Sequence, residues 1–245
     1  MIRVDAHSSI PKNFVSNNVK CHETGEYVTG GKRPNIIIGE TQWKKTLLLA
    51  ESSMFGSSFA SYRNGTSKTY VKSLFHGAYK REVLEKVGLF NEKLGRTEDN
   101  EFHYRIREAG YKICMDPDII SYQHARSSLS KMLKQKYGNG YWIGLTLGVC
   151  PGCISMFHLV PFAFILGIIF TTVLADCGFP LLSMLMWGAY ITVALGMTVV
   201  AIMQNGFKPL YLTLPFLFFL LHVSYGIGTT VGLIKMPAWK SKYKE

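Results

Sequence analysis

The sequence predicts an α/β head followed by an α-helical transmembrane region. Two features carry that prediction: the place where the charges stop, and the alternation of strand and helix patterns before they stop. Of the 27 Lys and Arg, 22 lie in residues 1–140, as do 14 of the 16 Asp and Glu. No Asp, Glu, Lys or Arg occurs between Lys136 and Asp176, between Asp176 and Lys208, or between Lys208 and Lys235. A spanning helix needs about 20 mainly apolar residues, and each interval supplies one. The boundaries read from these intervals are 1–136 for the head and 141–235 for the transmembrane region. Within the latter, hydrophobic segments run over roughly 145–175, 181–203 and 210–234, and 236–245 is a basic tail. The mean hydropathy of +0.13 averages a polar part with an apolar one.

Along the head, Ile2-Arg3-Val4-Asp5 reads as the end of a strand that delivers Asp5-Ala6-His7 to a loop. Pro11 opens a helical pattern with Phe14, Val15 and Val19 on one face. Tyr27 to Gly31 is a second strand ending in glycines, which permit close approach or positive φ. Residues 42–56 carry Trp43, Leu47, Leu48 and Ala50 in a mostly helical pattern. A short apolar patch, Val71 to Phe75, precedes His76-Gly77-Ala78-Tyr79. A helix over Arg81–Val87 stops at Gly88. The helix after Thr97 places Phe102, Ile106 and Ala109 at i, i+4 and i+7, and Gly110 ends it. Tyr111 to Met115 is a further strand, closed by Asp116-Pro117. This alternation argues for an α/β layer and against a helical bundle.

The net charge of +11 does not point to nucleic acid, because the basic residues form no long run and share the head with acids. Lys131, Lys134 and Lys136, with Lys240, Lys242 and Lys244 in the tail, fit attraction to anionic lipid and the positive-inside bias. Residues 1–9 hold no apolar h-region and are not read as a signal peptide. The five cysteines form no disulfide framework. Cys150-Pro151-Gly152-Cys153 has redox-motif spacing but lies in an apolar stretch and follows no βαβ unit. Asn64-Gly65-Thr66 matches a glycosylation acceptor that is idle on the cytoplasmic side of a membrane. Ionisable residues inside spans would favour a transporter accessory, and the apolar segments hold only His158 and His222.

Gly95-Arg96-Thr97-Glu98-Asp99-Asn100-Glu101 is the stretch most suited to chemistry. It sets an acidic pair on the first turn of a helix, where free N–H groups and the positive end of the dipole favour the ionised form. A positioned carboxylate can take a proton from a sugar hydroxyl. The same pattern also serves as an ordinary helix start, with Thr97 as cap. Asp5 and His7, at i and i+2 beyond a strand end, can share one divalent cation that in turn holds a diphosphate.

The order of these motifs resembles the inverting family 2 glycosyltransferases of GT-A fold, in particular membrane-attached exopolysaccharide enzymes of the succinoglycan type. The resemblance rests on Arg3 to His7, Gly30-Gly31, His76 to Arg81 with Val87 to Asn91, and Thr97 to Phe102 with Arg105. Ala109-Gly110-Tyr111 and His222 to Gly226 extend it over essentially the whole chain. It implies a partial GT-A, Rossmann-like sheet with helices, and a hexosyltransferase activity. Asp99 would be the catalytic base, Glu98 its neighbour in the acceptor site, and Asp5 and His7 the metal and diphosphate site. The cofactor implied is a divalent metal, Mn²⁺ or Mg²⁺. The donor would be a nucleotide-sugar and the acceptor a lipid-linked saccharide, at the cytoplasmic face of the cell membrane among its lipids.

Three departures accompany the resemblance. His7 replaces the usual second carboxylate, which either suits Mn²⁺ or brings the imidazole onto the phosphates. The family's Gln-x-x-Arg-Trp motif is replaced by Gln135 to Trp142. Gln135 and Trp142 are therefore candidate donor or acceptor contacts, and an interfacial aromatic belt explains Trp142 equally well. The strands that bind the nucleotide base precede the Asp-x-His strand in the family. The expectation is thus an enzyme lacking that N-terminal half, or one receiving it from another chain. The rival expectations are an inactive remnant acting as a membrane scaffold, and a small multi-pass protein of unrelated function.

Overall fold

The computed structural model describes residues 1–6, 8–56 and 67–244; His7 and the Asn64-Gly65-Thr66 acceptor lie outside the described residues. The chain forms two compact units. The first comprises Met1–Ile38, Ala60–Ala125 and Cys150–Ile154, and the second Gly39–Phe59, Arg126–Val149 and Ser155–Glu245.

The elements of the first unit are β1 (Ser8–Ser9), α1 (Phe14–Glu23), β2 (Val28–Lys32) and β3 (Asn35–Ile36). After α2 (Gln42–Ser52), which belongs to the second unit, come β4 (Thr69–Val71), β5 (Gly77–Tyr79) and α3 (Arg81–Val87). They are followed by α4 (Glu98–Glu108), β6 (Ile113–Ile120) and β7 (Tyr122–His124). One sheet has the order β4-β6-β2-β5, with β2 and β6 parallel and the outer strands antiparallel to them; the other has the order β1-β7-β3. Mixed sheets with helices are what the alternating pattern called for. The predicted strand at Ile2–Asp5 is reduced to a bridge from Ile2 to Ala78, extended by Arg3 N–H donating to the Gly77 carbonyl at 3.0 Å.

Gly30 and Gly31 are needed for close approach. A Cβ on Gly30 would stand 2.6 Å from the His76 carbonyl oxygen, and one on Gly31 would collide with the Ile119 carbonyl. The register between β2 and β6 shifts at this point, pairing Gly31 with Asp116 and Lys32 with Ile120. Residues 117–119 therefore bulge around the glycine. Asp116-Pro117 does not close the strand as the sequence suggested. A bulge leaves Pro117 out of the ladder, where its missing N–H does no harm.

α3 and α4 match their predicted limits, with φ of 79° at Gly88 and 89° at Gly110. Phe102 and Ile106 of α4 are fully buried with Val28, Leu74, Tyr79, Val83, Ile113 and Met115. α1 presents a different face from the one expected: Val15 and Val19 are about half exposed, and Phe14, Asn18 and Cys21 are buried. Asn18 can replace an apolar residue there because its amide donates to the Phe14 carbonyl at 2.8 Å and accepts from Thr29 at 2.8 Å. Its neighbour Cys21 lies 3.8 Å, sulfur to sulfur, from Cys114, and burial pushes the Cys114 thiol up to about 12.

The second unit contains α2, α5 (Leu129–Thr146), α6 (Val160–Asp176), α7 (Leu181–Asn205) and α8 (Leu214–Lys244). Three segments are long and apolar enough to cross a membrane: Met156–Asp176, Leu181–Asn205 and Pro209–Lys242. The first begins later than the apolar run in the sequence, because a 3₁₀ turn at Pro151–Cys153 interrupts that run; a second turn, Met156–Leu159, leads into α6. Leu166, Ile169, Phe170 and Val173 of α6 remain about half exposed, as lipid-facing side chains do. These helices make the chain a membrane protein.

α5 and α8 run in the same direction and touch backbone to backbone. A Cβ on Gly144 would stand 2.6 Å from the Thr229 carbonyl oxygen, and one on Gly148 2.5 Å from Met236 Sδ. Gly140, Gly228 and Gly232 meet the facing helix as closely, the arrangement by which small residues bring apolar helices together. Lys136 corrects the lipid-contact reading: it is buried, with Nζ 3.0 Å from Glu51 Oε1 of α2. Cys150 and Cys153 are bonded to one another, a single local bridge and not a framework, since Cys21, Cys114 and Cys177 are free. The 3₁₀ turn between the bonded pair holds their Cα atoms 5.5 Å apart, within the range a bridge needs. His222 donates to the Phe55 carbonyl at 2.6 Å and accepts from Tyr190 at 2.9 Å, which explains it as a structural group.

Candidate active site

The acidic end of α4 is set by what lies behind it. Phe102 and Ile106 anchor the helix in the core. His103, fully buried, bonds to Tyr79 Oη at 2.8 Å and Ser73 Oγ at 2.9 Å. Burial lowers the His103 imidazole to about 3, so it stays neutral. Arg105 grips Glu101 with both Nε (2.7 Å) and Nη2 (3.0 Å) and donates to the Leu89 carbonyl at 2.7 Å. It thereby ties the loop from α3 to the helix that follows.

Asp99 is 8% exposed, and its Oδ1 accepts from the Asn100 N–H at 2.8 Å. Burial raises its carboxyl to about 6, Glu98 adds to the rise, and Arg3 opposes it. The helix start therefore does not hold Asp99 ionised as strongly as the sequence suggested. Desolvation outweighs the dipole. Thr97 occupies the N-cap position without a side-chain cap hydrogen bond, so the plain capping account does not describe this helix start either.

Arg3 is the residue that sequence reasoning left without a role. Its Nη2 donates to Glu98 Oε1 at 2.7 Å and lies 3.3 Å from Asp5 Oδ1, while the guanidinium sits 4.8 Å from the Phe90 ring centroid. One cation thus joins the carboxylates of two predicted functions. Nη1 of Arg3 and Oε2 of Glu98 are buried and make no hydrogen bond among the described residues. Polar atoms left in this state are candidates for a ligand. The signal for Arg3 in the sequence was its place two residues before Asp5, a spacing that puts both side chains on one side of an extended chain.

Asp5 is the more accessible carboxylate of the site, its side chain 41% exposed. The His76 ring, with Nε2 3.5 Å from Oδ2, and then Arg3 hold the Asp5 carboxyl below the usual carboxylate range. No group of three His, Cys, Asp or Glu side chains able to hold a metal occurs among the described residues. Asp5 offers one accessible carboxylate, so a divalent cation bound there would have to take its other positions from phosphate oxygens and water. The structure brings Asp5, Glu98 and Asp99 together. Gln135 and Trp142 lie on α5 in the second unit, where Gln135 Oε1 accepts from Arg126 at 2.9 Å and Trp142 stands edge-on to Trp239 at 6.1 Å.

No model of a known protein family matches the chain. Two characterised proteins are similar to it. One is the dolichyl N-acetyl-alpha-D-glucosaminyl phosphate 3-beta-D-2,3-diacetamido-2,3-dideoxy-beta-D-glucuronosyltransferase of Methanococcus voltae, 29% identical over 184 residues, covering 74% of this chain and 52% of that protein. The other is succinoglycan biosynthesis protein ExoA of Rhizobium meliloti (strain 1021), 25% identical over 143 residues, covering 57% of this chain and 42% of that protein. The chain spans about half the length of the relatives it matches. Over more than half of its length the chain is thus similar to a glycosyltransferase and to a succinoglycan biosynthesis protein.

Proposed function

We propose that the chain carries the acceptor-activating part of an inverting glycosyltransferase that moves a sugar from a nucleotide donor to a lipid-linked saccharide at the cytoplasmic face of the membrane. The observation that carries this reading is Asp99: a buried carboxylate with its pKa near 6, on the first turn of a helix, beside the Arg3–Glu98 pair. A base poised close to neutral pH combines a useful ionised fraction with real basicity.

In the proposed step, ionised Asp99 accepts the proton of the acceptor hydroxyl as its oxygen bonds to the anomeric carbon. The bond from that carbon to the diphosphate breaks in the same displacement, and its electron pair leaves with the diphosphate. Glu98, fixed by Arg3, orients the acceptor. Asp5, together with His7, would hold a divalent cation of the kind common in this fold, which when bound would offset the charge of the departing diphosphate. Gln135 and Trp142 are assigned no step. The nucleotide-binding strands of such enzymes are proposed to come from polypeptide outside these 245 residues, and the relatives, being about twice as long as the matched region, support that reading.

The test is made by editing the gene at its own locus, so that whatever accompanies the chain is retained. Asp99→Asn should lower sugar transfer to membrane acceptors by about 10²–10⁴-fold with the protein still present at its normal level. Glu98→Gln should lose less. Equal, near-normal transfer in both variants would reject catalysis here and leave a scaffold.

A further inference from the structure

We propose that His76 is a positioning residue that fixes the Asp5 carboxylate through its Nε2–H, with Ser121 holding the ring. The inference rests on the assignment of Asp5 to the diphosphate and its cation, and it adds two residues to which neither the motif pattern nor that assignment gives a role.

His76 immediately precedes β5, and its side chain is 1% exposed. Its backbone is held by the contact with Gly30 that admits no Cβ. Its Nδ1 lies 2.7 Å from Ser121 Oγ, at the junction of β6 and β7. The only other acceptor for that hydroxyl among the described bonds is the Lys32 carbonyl, at 3.5 Å. Ser121 is assigned as the donor to Nδ1, because the other tautomer would turn an Nε2 lone pair toward the Asp5 carboxylate; the ring proton then sits on Nε2. That nitrogen points toward Asp5 Oδ2 at 3.5 Å and has no closer hydrogen-bond partner among the described residues. A buried N–H with so little to bond is kept for a purpose.

The two oxygens of Asp5 are thus each faced by a donor: Oδ1 by Arg3 and Oδ2 by His76. A half-exposed carboxylate on a loop would otherwise sample several rotamers. Two fixed donors select one and leave its open edge toward solvent, the usual work of residues behind a metal or phosphate ligand. A nucleophilic reading of Ser121, His76 and Asp5 does not hold. Ser121 is 3% exposed and cannot meet a substrate, and it binds Nδ1, the ring nitrogen that a carboxylate occupies in hydrolase triads.

The experiment measures Mn²⁺ binding to the detergent-solubilised full chain in the presence of pyrophosphate, by electron paramagnetic resonance of the free ion. Thermal midpoints of every variant are recorded alongside. Asp5→Asn and His76→Leu should each weaken binding by about 10-fold or more. His76→Gln should stay close to wild type, because the glutamine amide nitrogen reaches the place of Nε2. His76→Asn should bind weakly, because its amide reaches only the place of Nδ1 and retains Ser121 without touching Asp5. Wild-type binding in His76→Leu, with Asp5→Asn impaired, would overturn the proposal while the Asp5 assignment stands. Unchanged binding in Asp5→Asn would overturn both. Should His76→Leu not fold, equal binding by the Gln and Asn variants would overturn the proposal.

Discussion

Arg3 Nη2 donates to Glu98 Oε1 at 2.7 Å, across 95 positions of sequence. The bond fastens the segment that carries Asp5 to the helix that carries Asp99. It also places a permanent positive charge where three carboxylates meet, and their combined pull raises the Arg3 pKa despite the opposing effect of its burial. A guanidinium stays charged throughout the working range of pH. The acidic cluster is therefore never without its counter-charge.

Replacing Arg3 by Met should consequently do more than remove one bond. Glu98 loses its anchor, and Asp99 loses the charge that moderates its pKa, so the carboxyl should titrate above about 6. Arg3→Met should lower transfer at neutral pH, and raising the pH should recover part of it. A Lys replacement should retain the charge and lose the geometry. The check is transfer rate against pH for the two variants.

Asp99 itself gives a pH signature of opposite sign for activity and stability. The base works ionised, so transfer should fall as pH drops through about 6. Folding favours the neutral form, so this group's contribution to stability is full below about 4 and fades as pH rises through 6. Ionisation against that shift opposes folding by about 3 kcal/mol. Asp99→Asn should accordingly flatten the dependence of thermal midpoint on pH between 4 and 6 while removing the activity. A midpoint profile unchanged by the substitution would contradict the burial of this group.

The Lys136–Glu51 pair tests the second unit. Lys136→Met removes the cation 3.0 Å from a buried carboxylate and should destabilise by about 3–5 kcal/mol. The double variant Lys136→Met/Glu51→Leu should regain most of that loss, because two apolar groups need no counter-charge. Thermal midpoints in detergent decide it, with additivity of the two single changes as the contrary result.

Attachment to the membrane should survive both high salt and carbonate. Apolar spans such as Leu181–Asn205 are not screened by salt as basic surface residues are. Release of the intact chain by either wash would remove the membrane assignment.

Much of this was readable in advance where local signals agreed. Gly88 and Gly110 stop their helices because each must adopt positive φ, and Phe102 and Ile106 fall on a helical repeat that faces one core. The acidic start of α4 was equally plain. What escaped was decided by distant partners. Asn18 is buried because Thr29 waits for it, and Val15 is exposed although it is apolar. Pro117 lies inside β6 because a bulge around Gly31 excuses its missing N–H. Lys136 reads as a lipid contact from its place in the sequence, and its partner Glu51 lies far away along the chain. Arg3 and His76 belong to the same class, since nothing nearby in sequence announces that they share Asp5.

The glycine contact between α5 and α8 bears on which changes in length this protein can tolerate over evolutionary time. Each residue inserted into a helix turns everything beyond it by about 100°. One insertion ahead of Gly140 would swing Gly140, Gly144 and Gly148 away from the facing backbone and bring bulky side chains into a space that admits no Cβ. The loops on either side of α6 and α7 have no such phase to keep. Lineages of this chain should therefore vary in length between the helices and hold the count from Leu129 to Gly148 constant, as a comb keeps the pitch of its teeth.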